Sequence, residues 1–206
     1  MSVIETTQQL RSMDSPAKER AVKKQMPRLD QHCKNFLTHV RFAVLSTCDA
    51  QGNLDASPRG GEAGFIKAMD DNTVIIPDWT GNNRLDTFTN ILESGRIGAI
   101  FLVPGVDEAL RINGAASLRT DEAFTSLCEV NGRFPKLVVH ITVKEAYLHC
   151  AKAIMRGQLW MPEAKVERNV LPTMNEMLRD QISQTEPAEP QEVMWARHAT
   201  ELYSTK

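Results

Sequence analysis

The stretch Phe42-Ala-Val-Leu-Ser-Thr-Cys-Asp-Ala-Gln-Gly-Asn-Leu-Asp-Ala-Ser-Pro-Arg-Gly60 decides the fold class. Phe42 to Cys48 is a short β-like apolar run, Asp49 to Asn53 is a cluster of turn formers, and Leu54 to Pro58 resumes an extended pattern. The spacing predicts a β-hairpin. Toward the C-terminus a second strand unit follows at Thr73 to Ile76, between Asp70-Asp71-Asn72 and Pro77-Asp78. Leu85, Phe88, Ile91 and Leu92 recur at helical steps, which predicts an amphipathic helix over Asn83 to Glu93, ended by Gly95. Arg96 to Val103 and Ala109 to Leu118 read as a meander joined around Pro104-Gly105. Asp121 to Val130 reads as a helix, and Lys136 to Tyr147 is the longest β-branched stretch.

Both flanks are helical. Ser15 to Thr38 places Val22, Met26, Leu29, Cys33, Phe36 and Leu37 at three- and four-residue steps, with Pro27 splitting the run into two helices. Beyond His149, helical patterns cover Ala151 to Arg156, the segment from Pro172 marked by Met174, Met177, Leu178 and Ile182, and Gln191 to Tyr203. Strands arrive without the βαβ alternation that a parallel sheet requires. The expectation is therefore a mainly β, α+β domain spanning 1–206: N-terminal helices over 15–38, an antiparallel barrel over 40–160, and C-terminal helices over 172–204.

Composition narrows the function classes. The 206 residues are 42% hydrophobic, with 24 Lys+Arg against 26 Asp+Glu for a formal charge of −2, so no basic surface for nucleic acid is expected. Cys33, Cys48, Cys128 and Cys150 form no CxxC pair and read as reduced thiols. No apolar run approaches a membrane span, and the first residues lack the order of a signal peptide, which points to the cytoplasm. The five histidines show no metal-ligand spacing, and neither a GxSxG elbow nor a GxGxxG or GxxxxGK[ST] loop is present.

Three segments place cationic side chains beside glycine or at a helix start: Ser57-Pro-Arg-Gly-Gly61, Gly81-Asn-Asn-Arg84 and Lys152-Ala-Ile-Met-Arg156. The second has a physical case as an anion site. A helix start leaves amide N–H groups unpaired at the positive end of the macrodipole, and Arg84 adds a fork of donors. The same residues also read as a capped turn, and Arg59 as a salt-bridge partner at a strand end; spacing does not choose.

Read in order, Leu45-Ser-Thr, Asp55-Ala-Ser-Pro-Arg-Gly60, Ile76-Pro-Asp, Gly81-Asn-Asn-Arg84, Arg111-Ile-Asn-Gly114 and His149-Cys-Ala-Lys-Ala153 with Leu159-Trp160 resemble the pyridoxamine 5′-phosphate oxidase-like family of FMN-binding split barrels. The likeness covers about Asn35 to Ile182 and points to the branch of FMN-dependent enzymes of unassigned substrate. It implies a six-stranded antiparallel split barrel that forms a homodimer, with FMN in the clefts between subunits. Under the resemblance Ser57, Arg59 and Gly60 lie along the flavin, Ile76 and Pro77 sit beside its ring, and Asn82, Asn83 and Arg84 take the phosphate. Lys152 and Trp160 reach the partner's flavin. FMN needs charge-assisted donors for its phosphate, an apolar slot for its ring, and donors near N1 and the C2 carbonyl, which this set supplies.

The resemblance implies an oxidoreductase that moves a hydride at flavin N5, with NAD(P)H or a small organic substrate as the other party. A non-catalytic flavin- or haem-handling protein and an interaction protein with an empty cleft are the rivals, since the barrel is a scaffold. Two positions depart from the branch pattern. Gly61 stands where an acidic residue is expected and Trp79 where a basic one is, so an ion pair is missing, and Trp79 either narrows the cleft mouth or packs in its loop. The Arg-x-His arrangement of true pyridoxamine phosphate oxidases is absent too, Arg197 and His198 being adjacent.

Overall fold

The hairpin forms where the turn formers stand. In the computed structural model, which describes residues 3–204, β1 (Phe42–Cys48) pairs antiparallel with β2 (Leu54–Gly60), from Phe42 opposite Gly60 to Cys48 opposite Leu54. Asp49 Oδ1 closes the turn by accepting the amide N–H groups of Gln51 at 2.9 Å and Asn53 at 2.8 Å. Alternation along β1 buries Ala43, Leu45 and Thr47 and turns Phe42 and Ser46 outward.

Five further strands extend this pair: β3 (Lys67–Ala68), β4 (Thr73–Pro77), β5 (Arg96–Leu102), β6 (Ala109–Arg119) and β7 (Val138–His149). They join in the order β2-β1-β5-β6-β7-β4-β3, and every ladder is antiparallel. With helices at the periphery this is the expected α+β split-barrel architecture. It has seven strands rather than six, because β3 adds two residues, too few for a periodicity to mark in sequence. Register slips between Asn113 and Gly114 in the β6–β7 ladder, and a Cβ on Gly114 would run into the Thr142 carbonyl. Only glycine admits that approach.

The helices are α1 (Thr7–Ser12), α2 (Glu19–Lys23), α3 (Gln31–His39), α4 (Asp86–Ser94), α5 (Glu122–Thr125), α6 (Lys152–Gly157), α7 (Met174–Gln181) and α8 (Gln191–Glu201). The N-terminal run differs from its expected form. Helix α1 lies before Ser15, closed by a capping box between Thr6 and Gln9. Helix α2 is short because Met26 exchanges backbone hydrogen bonds with Ala146 on β7, after which Pro27 and the Asp30 cap start α3 afresh. The expected helix over Asp121 to Val130 is only α5 followed by a 3₁₀ turn at Ser126–Cys128.

Helices α3 and α4 seal the core. Cys33 and Leu37 of α3 and Phe88 and Ile91 of α4 join Leu45, Phe101, Ile112 and Ile141 in one buried cluster, each large side chain stabilising the fold by about 1.5–3 kcal/mol. The buried Asn90 of α4 donates from Nδ2 to Thr47 Oγ1 at 3.1 Å, which ties α4 to β1 without an unpaired amide. This docking fixes the end of α4 that faces the site. Among the described residues no helix is long and apolar enough to cross a membrane.

Candidate functional site

A cleft of about 930 Å³ opens where β2, the loop from β4 to α4, and the first turns of α4 meet. Its size falls within the roughly 300–1,000 Å³ of small-molecule sites. Seven of the residues singled out in the sequence line it: Ser57, Arg59 and Gly60 from β2, Pro77 from the end of β4, and Asn82, Asn83 and Arg84 from the loop. Three do not. Ile76 is fully buried in the core beneath, because neighbours along a strand face opposite ways. Lys152 is exposed at the start of α6, and Trp160 donates its indole N–H to the Val106 carbonyl at 2.8 Å near the β5–β6 connection.

Arg59 is the best-organised cation of the cleft. Its Nη1 donates to Ser57 Oγ at 2.6 Å and to the Pro58 carbonyl at 2.8 Å, and its guanidinium carbon lies 5.7 Å from the Phe88 ring centroid. Its Nε–H is buried with no hydrogen-bond partner among the described residues. Burial lowers the Arg59 pKa, while Asp78 and Asp55 act to raise it. Asp55 is itself held by Thr87 Oγ1, which donates to its Oδ2 at 2.8 Å.

The loop is built differently from its expected form. Helix α4 begins at Asp86 rather than Asn83, because Asn83 and Leu85 take left-handed backbone with φ of 59° and 61°. Such residues cost about 1–3 kcal/mol each and persist only where the surroundings enforce them. Leu85 offers no side-chain cap, so the first amides of α4 lack that partner. Arg84 therefore precedes the helix, stands exposed, and donates from Nε to Asp86 Oδ2 at 2.7 Å, which raises its pKa. Its backbone N–H donates to Asn82 Oδ1 at 3.1 Å.

Three cleft features were not singled out from the sequence. Asp78 reads in sequence as strand punctuation and as the end of the Ile76-Pro-Asp motif, with no role of its own, yet it borders the cleft, and burial raises its carboxyl pKa against the opposing pull of Arg59 and Lys136. Lys136 and Leu137 form a second wall just before β7, and Leu202 and Ser204 form a third beyond α8. No local spacing marks such walls, since long-range packing assembles them. The departures resolve in part. A side chain at position 61 would collide with Phe65, and the nearby Glu62 pairs instead with Arg41 at 3.0 Å. Trp79 lines the cleft and packs edge-on against Tyr203.

Comparison with known proteins bears on this arrangement. The sequence model of the family described as pyridoxamine 5′-phosphate oxidase matches residues 29–150, more than half of the chain. No curated protein matches. Among solved structures, HupZ of Group A Streptococcus is 24% identical, with a TM-score of 0.48 over 58% of this chain and 93% of its own. An FMN-binding protein of Syntrophomonas wolfei is 14% identical, with a TM-score of 0.44 over 57% and 83%. General stress protein 26 of Bacillus anthracis is 16% identical, with a TM-score of 0.43 over 57% and 94%. The match spans the strands and the β4–α4 loop that build the cleft, and by it the chain belongs to the pyridoxamine 5′-phosphate oxidase family.

Proposed function

We propose that the protein is an FMN-dependent oxidoreductase that binds its flavin in this cleft and works as a homodimer. Arg59 carries the reading. A buried N–H without an acceptor costs stability, and its persistence in a ligand-sized cleft fits a bound oxygen or ring nitrogen that completes it. A flavin presents such acceptors along N1 and the C2 carbonyl, and Ser57 and the Pro58 carbonyl hold the guanidinium in place for them.

The rest of the donor set fits the same group. Asn82, Asn83, Arg84 and the uncapped first amides of α4 supply donors for a phosphate at a helix start. Pro77 and Phe88 supply apolar surface for a ring. Lys152 and Trp160 lie outside the cleft of their own chain and would serve the cleft of a second copy. When bound, FMN supplies a two-electron hydride acceptor and donor at N5, working with NAD(P)H or a small organic substrate. The chain contributes orientation, charge and exclusion of water.

The test is the absorption spectrum of the purified protein, before and after adding excess FMN, followed by anaerobic NADH or NADPH. Retained flavin bands that bleach on adding a nicotinamide support an oxidoreductase. Flavin that stays oxidised with every reductant and substrate tried points instead to a carrier. A colourless protein that takes up no FMN overturns both.

A further inference from the structure

The segment after α8 is fastened to the site. Tyr203 sets its ring against Trp79 with centroids 5.1 Å apart and planes at 86°. The Ser204 carbonyl accepts from Thr80 Oγ1 at 2.6 Å, and the Tyr203 carbonyl accepts from Arg133 Nη1 at 3.4 Å. Leu202 and Ser204 face the cleft itself. The segment is thus held between the β4–α4 loop and the turn at Val130 to Arg133.

Trp79 and Thr80 follow Asp78 at the start of the loop whose later residues, Asn82 to Arg84, border the cleft. That loop holds two left-handed residues, Asn83 and Leu85, a backbone that reverts unless its surroundings enforce it. Its first residue is tied across the sequence, Asp78 N–H donating to the Leu137 carbonyl at 3.0 Å, but from Asn82 onward its hydrogen bonds are local: Arg84 N–H to Asn82, and Arg84 Nε to Asp86. The ring contact and hydroxyl hydrogen bond of Trp79 and Thr80 reach across the sequence, and both end on the segment after α8.

We propose that Tyr203 is a positioning residue for the phosphate-binding loop. By holding Trp79 and Thr80, the segment at 203–204 keeps Asn82, Asn83 and the first amides of α4 aimed at the phosphate of a phosphorylated ligand. The inference rests on the flavin reading above and adds a discrimination to it. Arg59, Ser57 and Phe88, the groups placed at the ring, sit on β2 and α4, so loosening the segment weakens the phosphate half of binding and leaves the ring half intact.

The experiment titrates the full chain with FMN and with riboflavin, which lacks the phosphate, following flavin fluorescence. Tyr203→Ala is expected to weaken FMN about two- to tenfold, the worth of one aromatic pair, and to leave riboflavin unchanged. Tyr203→Phe keeps the ring and should keep wild-type affinity. Thr80→Val removes the hydrogen bond to Ser204 from an exposed position, and should repeat the selective loss even where Tyr203→Ala does not fold. FMN affinity unchanged in Tyr203→Ala and Thr80→Val overturns the inference, as does an equal loss for both ligands. A wild-type protein that binds FMN no better than riboflavin overturns the inference alone. One that binds neither overturns the flavin reading and the inference together.

Discussion

Arg59 Nη1 donates to Ser57 Oγ at 2.6 Å while the Nε–H of the same side chain is buried and has no partner among the described residues. One end of the guanidinium is anchored, and under the proposed reading the other end meets the flavin. Lysine keeps the charge but has no second, fixed donor. Arg59→Lys is therefore expected to lose about 1.5–3 kcal/mol of FMN affinity, roughly ten- to 150-fold, read by fluorescence titration. Melting temperature, read alongside, separates this loss from a loss of folding, because the substitution also removes the Nη1 hydrogen bonds to Ser57 and Pro58. Unchanged affinity would place the acceptor elsewhere.

The Arg84–Asp86 pair sets a competition at the loop. Asp86 complements the N-terminus of α4 and holds Arg84 Nε at 2.7 Å, so it occupies both groups that would take the phosphate under the proposed reading. Asp86→Asn frees them. FMN affinity should rise about two- to fivefold, the usual worth of one charge at a helix end, with a slight fall in melting temperature. The gain should shrink as salt is added. A loss of affinity would mean that Asp86 orders the loop more than it competes with the ligand.

Local pattern carried much of this site. The period-two burial of Ala43, Leu45 and Thr47 marks β1, and the turn cluster at Asp49 to Asn53 sets the register that brings Ser57 and Arg59 to the sheet edge. The start of α4 was not legible, since Leu85 favours neither the left-handed backbone it adopts nor an N-cap role. Met26 also reads as helical from its spacing, yet it is extended because Ala146 offers it a strand edge. Asp78 and the 202–204 wall enter the cleft through contacts distant in sequence, where no spacing rule reaches.

Asp78 makes stability depend on pH. Burial raises its carboxyl pKa, and Arg59 and Lys136 reduce that rise without cancelling it. The folded chain then binds its proton more tightly than the unfolded chain does. Stability is fully present below the ordinary carboxylate range and is lost as pH rises through the raised value. Asp78→Asn removes the loss. Its melting temperature should exceed that of the wild type at neutral pH, and the difference should close on acidification. An Asn variant less stable at neutral pH would show that the pairing with Arg59 outweighs the burial.

The buried thiols set the opposite edge of the pH range. Burial pushes Cys33 from 9.0 up to about 11, aided by the Asp30 side chain, and pushes Cys128 up to about 11 as well. Both stay protonated in the fold after the unfolded chain has begun to release its protons. The stability they contribute is present below the unfolded value of 9.0 and is lost as pH climbs toward 11. The urea midpoint should fall across that interval. The thiolate is the reactive form, so a thiol reagent at mildly alkaline pH should label exposed Cys150 first and half-buried Cys48 more slowly. Cys33 and Cys128 should react only as fast as the protein opens, and all four should react at once in urea. Cys33 reacting as fast as Cys150 in the native protein would mean that α3 does not hold its place over the core.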